Sequence, residues 1–149
     1  KRNPLIKEWL KLTLDRLLFI LKSISHRKRL SSSPTFGELF DSFLEKHPLS
    51  EVRKKNFRVV KRALLRYELY VRETKRGQKG FVLDVDTVTP ETLRDMWDFF
   101  ENEYQYYELY PSIYEAIPEK RTPQPRGKNT LIDCFSRIRT FFLWCFDNS

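Results

Sequence analysis

Glycine, cysteine, histidine and methionine are all scarce in this sequence, with 4, 2, 2 and 1 of them in 149 residues. So few glycines argue against a fold of many short strands joined by tight turns, and favour helices. Cys134 and Cys145 lie on one predicted helix, roughly 16 Å apart at about 1.5 Å of rise per residue, too far for a disulfide. We expect both to be reduced thiols of a cytoplasmic protein.

Motifs for nucleotide, metal or membrane binding are also missing. The sequence has no P-loop, no GxGxxG and no CxxC, and His47 has no partner at metal-ligand spacing. Charges such as Lys7, Glu8 and Lys11 interrupt the apolar stretches of the first segment, and no secretory signal is visible. We therefore expect no cofactor, no metal, no small-molecule substrate and no membrane partner.

The charges that are present are unevenly distributed. The net charge is +8, with +7 in residues 1–30, +6 in residues 31–80, −9 in residues 81–119 and +4 in residues 120–149. Two basic regions thus flank one acidic segment, which favours a polyanion such as nucleic acid as the partner. The hydrophobic fraction of 40% and the aromatic fraction of 15% are enough for one real core.

Apolar periodicity predicts five helices, over residues 4–25, 36–46 and 51–74, from residue 90, and from residue 129 or 130. Thr35 with Glu38, Ser50, and Thr89 before Pro90 are the N-terminal capping signals. Residues 81–85 alternate like a short extended piece, and residues 108–126 form a long loop with four prolines.

Two predicted helices have clear buried faces. One face of the helix over residues 51–74 carries Val52, Val60, Ala63, Tyr67 and Val71, with Phe57 and Leu64 beside it. The core face of the helix from residue 90 carries Leu93, Met96, Trp97, Phe100 and Tyr104, with acids including Glu91, Asp95, Asp98, Glu101 and Glu103 on the remaining faces.

Another face of the helix over residues 51–74 is basic. Acids are nearly absent between Glu51 and Glu68, so pairs within the helix do not neutralise it. A row of cations at this spacing can follow a DNA backbone, although a solvated helix face has the same pattern. The candidate phosphate ligands here are Lys54, Lys55, Arg58, Lys61, Arg62 and Arg66.

A second basic group precedes and enters the last helix. A helix N-terminus presents free N–H groups to an anion, and Gly127 lets the backbone approach closely. The ordinary alternative is a loop followed by a cap. The candidate ligands here are Arg126, Lys128, Asn129 and Thr130, with Arg137 and Arg139 further along the helix.

The order of these pieces resembles a known family. The pieces are Thr35 to Phe40, Leu65-Arg66-Tyr67-Glu68, Phe81 to Thr89, Gly127 to Thr130, and Phe141-Phe142 with Trp144-Cys145. Over residues 35–149 their order and spacing resemble the core-binding, SAM-like domain of phage-integrase-family tyrosine recombinases from bacterial mobile elements.

The resemblance implies a small all-α orthogonal bundle of four core helices, packed on one face of double-stranded DNA beside other recombinase protomers. Residues 1–33 would be a connector helix and basic linker, and residues 34–149 the DNA-binding domain for site-specific integration and recombination. The family's catalytic residues lie in a later domain, so this chain is expected to be a non-catalytic fragment. His26-x-x-Arg29 matches one catalytic pair formally, and we interpret it as a coincidence within the linker.

Two other classes of function stay open on the sequence. A helical protein-interaction adaptor would use Trp97, Tyr104, Tyr106 and Tyr107 together with the acidic helix. A membrane-surface module would use the amphipathic segment within residues 1–30.

Overall fold

The computed structural model describes residues 34–75 and 77–148, together with Asp15, which is helical and exposed. The predicted helix over residues 4–25 and the linker to residue 33 otherwise lie outside the described residues. So do the His26-x-x-Arg29 pair and the membrane-surface segment.

The described residues form an all-α fold without a β-strand, which confirms the predicted fold class. A 3-10 turn, Val85–Thr87, precedes the third helix. The five α-helices among the described residues are α1 (Phe36–Lys46), α2 (Glu51–Thr74), α3 (Pro90–Leu109), α4 (Pro111–Ala116) and α5 (Lys128–Asp147).

The predicted capping signals begin three of these helices. Thr35 and Glu38 form a complete capping box, with bonds of 3.1 and 2.8 Å between each side chain and the other residue's N–H. The Ser50 hydroxyl accepts from the Arg53 N–H, and Thr89 caps α3 ahead of Pro90. The bounds of α1 and α2 are the predicted ones, because strong local signals set both ends.

Residues 81–84 belong to no helix or strand, and Asp84 is extended, which agrees with the predicted extended piece. Arg72 Nε donates to the Phe81 carbonyl and the Leu83 N–H donates to Glu68 Oε2, both at 2.7 Å. Two other local predictions need correction. Within the predicted loop over residues 108–126, α3 runs to Leu109 and α4 forms, leaving an irregular segment over residues 117–127. The last helix begins at Lys128, with Gly127 as its N-cap.

One hydrophobic core joins α1, α2, α3 and α5. Phe40 stacks on Phe141 with ring centroids 4.4 Å apart, and Trp97 contacts Phe135 at 5.2 Å. The apolar stripe along α5 is buried, and it consists of Leu131, Phe135, Ile138, Phe142 and Cys145. Helix α2 contacts all four other described helices, so it is the central element against which the rest of the bundle is arranged.

Two residues that the sequence predicts to be in the core, Val52 and Tyr104, are exposed. Val52 is 70% exposed, because the first turn of α2 extends beyond the core, which this helix enters at Phe57. On α3, Tyr104 is 37% exposed, and the buried positions that the prediction missed are Phe99 and Glu103. None of the helices in the described part of the chain has the length and apolar character that crossing a bilayer requires.

Candidate nucleic-acid interface

A groove of about 850 Å³ lies between α2 and the irregular segment over residues 117–127. Seven of its lining side chains are cationic and one, Glu119, is a carboxylate. The cations are Lys55, Arg58, Arg62, Arg66, Lys120, Arg121 and Arg126. We call this surface the basic groove.

The two walls of the basic groove are α2 and the irregular segment over residues 117–127. Lys55, Arg58 and Arg62 recur at intervals of three or four residues, so they share one face of α2. Opposite them, Pro118 and Pro123 restrict the backbone on either side of the segment that carries Lys120 and Arg121. Cations from two separate elements therefore line one surface.

Four exposed cations form what we call the rim of the groove: Lys55, Arg58, Lys120 and Arg121. None of the four makes an ion pair with another residue in the described part of the chain. Their charge is therefore not neutralised within the described fold, and it is accessible to a ligand in solvent.

Beneath the rim lies an ion network made of Arg62, Arg66, Arg126, Glu103 and Glu119. Arg66 is 1% exposed, and its Nε donates to Glu103 Oε2 at 2.6 Å while its Nη1 donates to Glu119 Oε2 at 2.9 Å. This corrects the prediction that Arg66 is a surface phosphate ligand, because the segment over residues 117–127 covers it. Arg66 instead links α2 to Glu103 on α3 and to Glu119, and these contacts stabilise the basic groove.

Arg126 is also directed inward. Its Nη1 donates to the Phe100 carbonyl at 2.7 Å, and its Nη2 lies 2.9 Å from Glu103 Oε1. The second contact is an ion pair only, since no donor among the described residues is aligned with Glu103 Oε1. Arg126 is thus mainly a structural partner of α3, and not the free loop cation that the sequence predicts.

Burial and charge fix the protonation states in the network. Burial by itself lowers the pKa of Arg66, but Glu103 and Glu119 outweigh this and raise it, so the guanidinium stays charged. Burial raises the pKa of Tyr114, and the charge of Glu103 raises it further. The Tyr114 hydroxyl therefore stays protonated, and it donates to Glu103 Oε2 at 2.7 Å.

Glu119 connects the network to the basic groove. It accepts from Arg62 Nε at 2.8 Å and from Arg62 Nη2 at 3.2 Å, a bidentate pair. Burial acts to raise the pKa of Glu119, but hydrogen bonds from Arg62 and Arg66 outweigh it and hold the pKa below its usual range. Glu119 is therefore ionised at neutral pH.

The other predicted ligands do not line the basic groove. Lys54 is 3.6 Å from Glu51, and Lys61 is bound at 2.6 Å to Asp41 of α1. On α5, Lys128, Asn129 and Thr130 are exposed in the first turn, and Arg139 is half-buried.

Arg137 lies in a separate, smaller groove of about 210 Å³ between α2 and α5, with Arg53, Asn56, Phe57, Asp133, Ser136 and Thr140. In the basic groove, the described cations that lie opposite α2 thus come from the segment over residues 117–127, and not from α5. Among the described residues, no three His, Cys, Asp or Glu side chains are grouped as a metal ion requires.

Sequence reasoning missed four members of this site: Lys120, Arg121, Glu103 and Glu119. One available signal was the reversal of charge at residues 119–120, where the acidic segment ends and Lys120-Arg121 begins between two prolines. No sequence signal marked Glu103 as buried, because it was one of several acids on a face that looked solvated.

A cleft of about 460 Å³ adjoins the basic groove and shares Pro118 and Glu119 with it. Its wall carries Glu108, Glu115 and the half-exposed Tyr107, and no cation. The same short segment therefore separates a basic surface from an acidic one.

No protein family, no curated protein and no solved structure matches this chain.

Proposed function

We propose that this chain binds double-stranded DNA through the basic groove, as the core-binding domain of a tyrosine recombinase in site-specific integration and recombination. The observation that carries the proposal is the rim of four cations that have no ion pair among the described residues, contributed by α2 on one side and by residues 120 and 121 on the other. Phosphates are the natural partners of such a rim, because they accept charge-assisted hydrogen bonds from both lysine and arginine.

The energetics of the rim favour a polyanion. A protein that neutralises phosphates releases condensed counterions, and the logarithm of its affinity falls with the logarithm of salt by about 0.9 for each phosphate contact. Four rim cations therefore predict a slope of about −3.6. Contacts of this kind position a duplex and carry little sequence information, so we propose weak discrimination between sequences for this chain alone.

The recombinase part of the proposal rests on the sequence resemblance over residues 35–149. It adds other recombinase protomers on the same DNA as partners, and it assigns catalysis to another part of the parent protein. It also assigns the chain to the cytoplasm, where thiols stay reduced, and neither Cys134 nor Cys145 forms a disulfide.

The experiment is a fluorescence-anisotropy titration of a labelled duplex at low salt. The test variant combines Arg58→Glu with Arg121→Glu, one from each wall of the basic groove. The control combines Lys46→Glu with Lys79→Glu, which makes the same change in net charge at two exposed positions outside it. We expect the test variant to lose about tenfold or more in affinity, and the control to lose much less. Equal losses would remove the basic groove from the interface.

The adjoining acidic cleft supports a second candidate function, a protein-interaction adaptor. The structure leaves fewer aromatic side chains for such an adaptor surface, because Trp97 is fully buried and Tyr106 stacks on Tyr70 with ring centroids 4.7 Å apart. Tyr104 and Tyr107 remain partly exposed. Binding of a lysine-rich peptide that Glu108→Gln with Glu115→Gln abolishes, together with no binding to duplex at low salt, would favour the adaptor.

A further inference from the structure

The pairing of Glu119 with Arg62 has the geometry of a bound phosphate. Two oxygens of one anion accept from Nε and Nη2 on the same side of the guanidinium, which is how arginine binds two phosphate oxygens. Glu119 is also the one carboxylate among the described residues that line the basic groove. In the free protein, Glu119 therefore occupies the side of the Arg62 guanidinium that is best suited to phosphate.

Exchange of this anion leaves the rest of the network paired. Arg66 keeps its 2.6 Å bond to Glu103 if Glu119 leaves, whereas Arg62 has no other carboxylate partner among the described residues. Glu119 lies between Pro118 and Lys120, both exposed, so its carboxylate has a short path to solvent. The exchange thus replaces one anion on Arg62 by another, and the released carboxylate is hydrated.

We infer that Glu119 is an internal competitor for phosphate at Arg62, which duplex DNA displaces when it binds the basic groove. This rests on the proposed function and adds a regulatory element to the same site. A single small anion gains too little at Arg62 to displace a carboxylate held by two arginines. A duplex meets the rim at the same time, so its other phosphate contacts help to offset the cost of the exchange.

The first test compares Glu119→Gln with Glu115→Gln in duplex titrations across a range of salt. Glutamine keeps the shape of residue 119 and an oxygen acceptor for Arg62, but it removes the charge. Glu115 is an exposed carboxylate nearby, on α4, that makes no contact with Arg62 or Arg66. We expect Glu119→Gln to bind about fivefold tighter than Glu115→Gln, because no carboxylate then has to leave Arg62 before a phosphate binds it.

A double-mutant cycle then asks whether Glu119 acts through Arg62. Because Arg62 is already occupied in the wild-type chain, Arg62→Gln alone should cost little affinity, and it should abolish the gain from Glu119→Gln. Far-UV circular dichroism and thermal melts of each variant establish that the fold is retained. Glu119→Ala is a second variant, which also removes the acceptor and should tighten binding in the same direction.

The outcomes separate the two proposals. Three outcomes would overturn the inference that Glu119 competes with phosphate, while leaving duplex binding in place. They are equal gains in affinity for Glu119→Gln and Glu115→Gln, a gain that persists with Arg62→Gln, and a loss of affinity for both substitutions at Glu119. If neither the wild-type chain nor any variant binds duplex in a salt-dependent way, the proposed function fails and the competitor fails with it.

Discussion

Arg58 and Arg66 lie about two turns apart on one side of α2, yet their surroundings are opposite. Arg58 is exposed and makes no ion pair within the described residues, whereas Arg66 is 1% exposed and binds both Glu103 and Glu119. Arg58 of the rim and Arg66 of the ion network thus belong to one row of cations along α2. The difference comes from the segment over residues 117–127, which covers one end of the row of cations and leaves the other open.

The largest expected effect is the loss of stability when the ion network is broken at Arg66. Arg66→Met leaves Glu103 buried without its closest cation, and we expect a cost of about 3–5 kcal/mol in the free energy of unfolding. Arg58→Met on the rim is the matched control, expected within about 0.5 kcal/mol of wild type. Urea unfolding measures both, and similar costs for the two variants would contradict the contrast.

A double-mutant cycle sharpens the comparison. Replacing both members of a buried pair removes the stranded charge, so Arg66→Met combined with Glu103→Leu should cost less than the sum of the single changes, by about 1–3 kcal/mol. The same cycle with Lys75 and Asp95, a partly exposed pair 3.1 Å apart, should give a coupling below about 1 kcal/mol. Additive costs at Arg66 and Glu103 would mean that their contact is not the dominant interaction.

Tyr114 makes the stability of the ion network depend on pH. Tyr114→Phe removes a hydrogen bond to a buried carboxylate, which we expect to cost about 1–3 kcal/mol at neutral pH. Because folding raises the pKa of Tyr114, its contribution to stability is present below the unfolded pKa of about 10 and is lost as the pH rises further.

The difference in stability between wild type and Tyr114→Phe should therefore shrink above about pH 10. Urea midpoints measured between neutral and alkaline pH test this, and a constant difference would contradict it. Cys145 adds to the alkaline loss, since burial raises the pKa of its thiol to about 12. Cys145→Ala in parallel separates that contribution from that of Tyr114.

The smallest expected effect on stability is at Lys120 and Arg121, the rim cations opposite α2. Lys120→Gln and Arg121→Gln each remove an exposed charge that has no ion pair within the described part of the chain, so the free energy of unfolding should change by less than about 0.5 kcal/mol. Each should nevertheless make the salt slope of duplex binding shallower by about one. A loss of stability without a change in slope would assign these cations to the fold.

The sequence predicts the long helices well because their signals are local. Thr35 and Ser50 begin α1 and α2, and Pro48 follows the end of α1. Helix α4 has only 6 residues, too few for a periodic apolar pattern, and Pro111 within a proline-rich stretch looks like part of a loop. Local patterns therefore locate the long elements and fail for the short one.

The candidate site was less predictable because its key contacts join distant parts of the chain. The spacing of Lys55, Arg58 and Arg62 predicts a shared face, but it carries no information about what covers the end of that face. Arg66 and Glu103 are 37 positions apart, so their pairing depends on how α2 packs against α3. Lys120 and Arg121 lie in an irregular segment without periodicity, and only the tertiary fold brings them opposite α2.

The most direct test of the account is the salt dependence of duplex affinity for the wild-type chain and for the double variant of Arg58→Gln with Arg121→Gln. We expect the rim alone to give the wild type a slope of about −3.6, steeper if Arg62 also binds phosphate, and the variant a slope shallower by about two. A wild-type affinity that does not change with salt, or an identical slope for the two proteins, would contradict the claim that the rim of the basic groove binds phosphate.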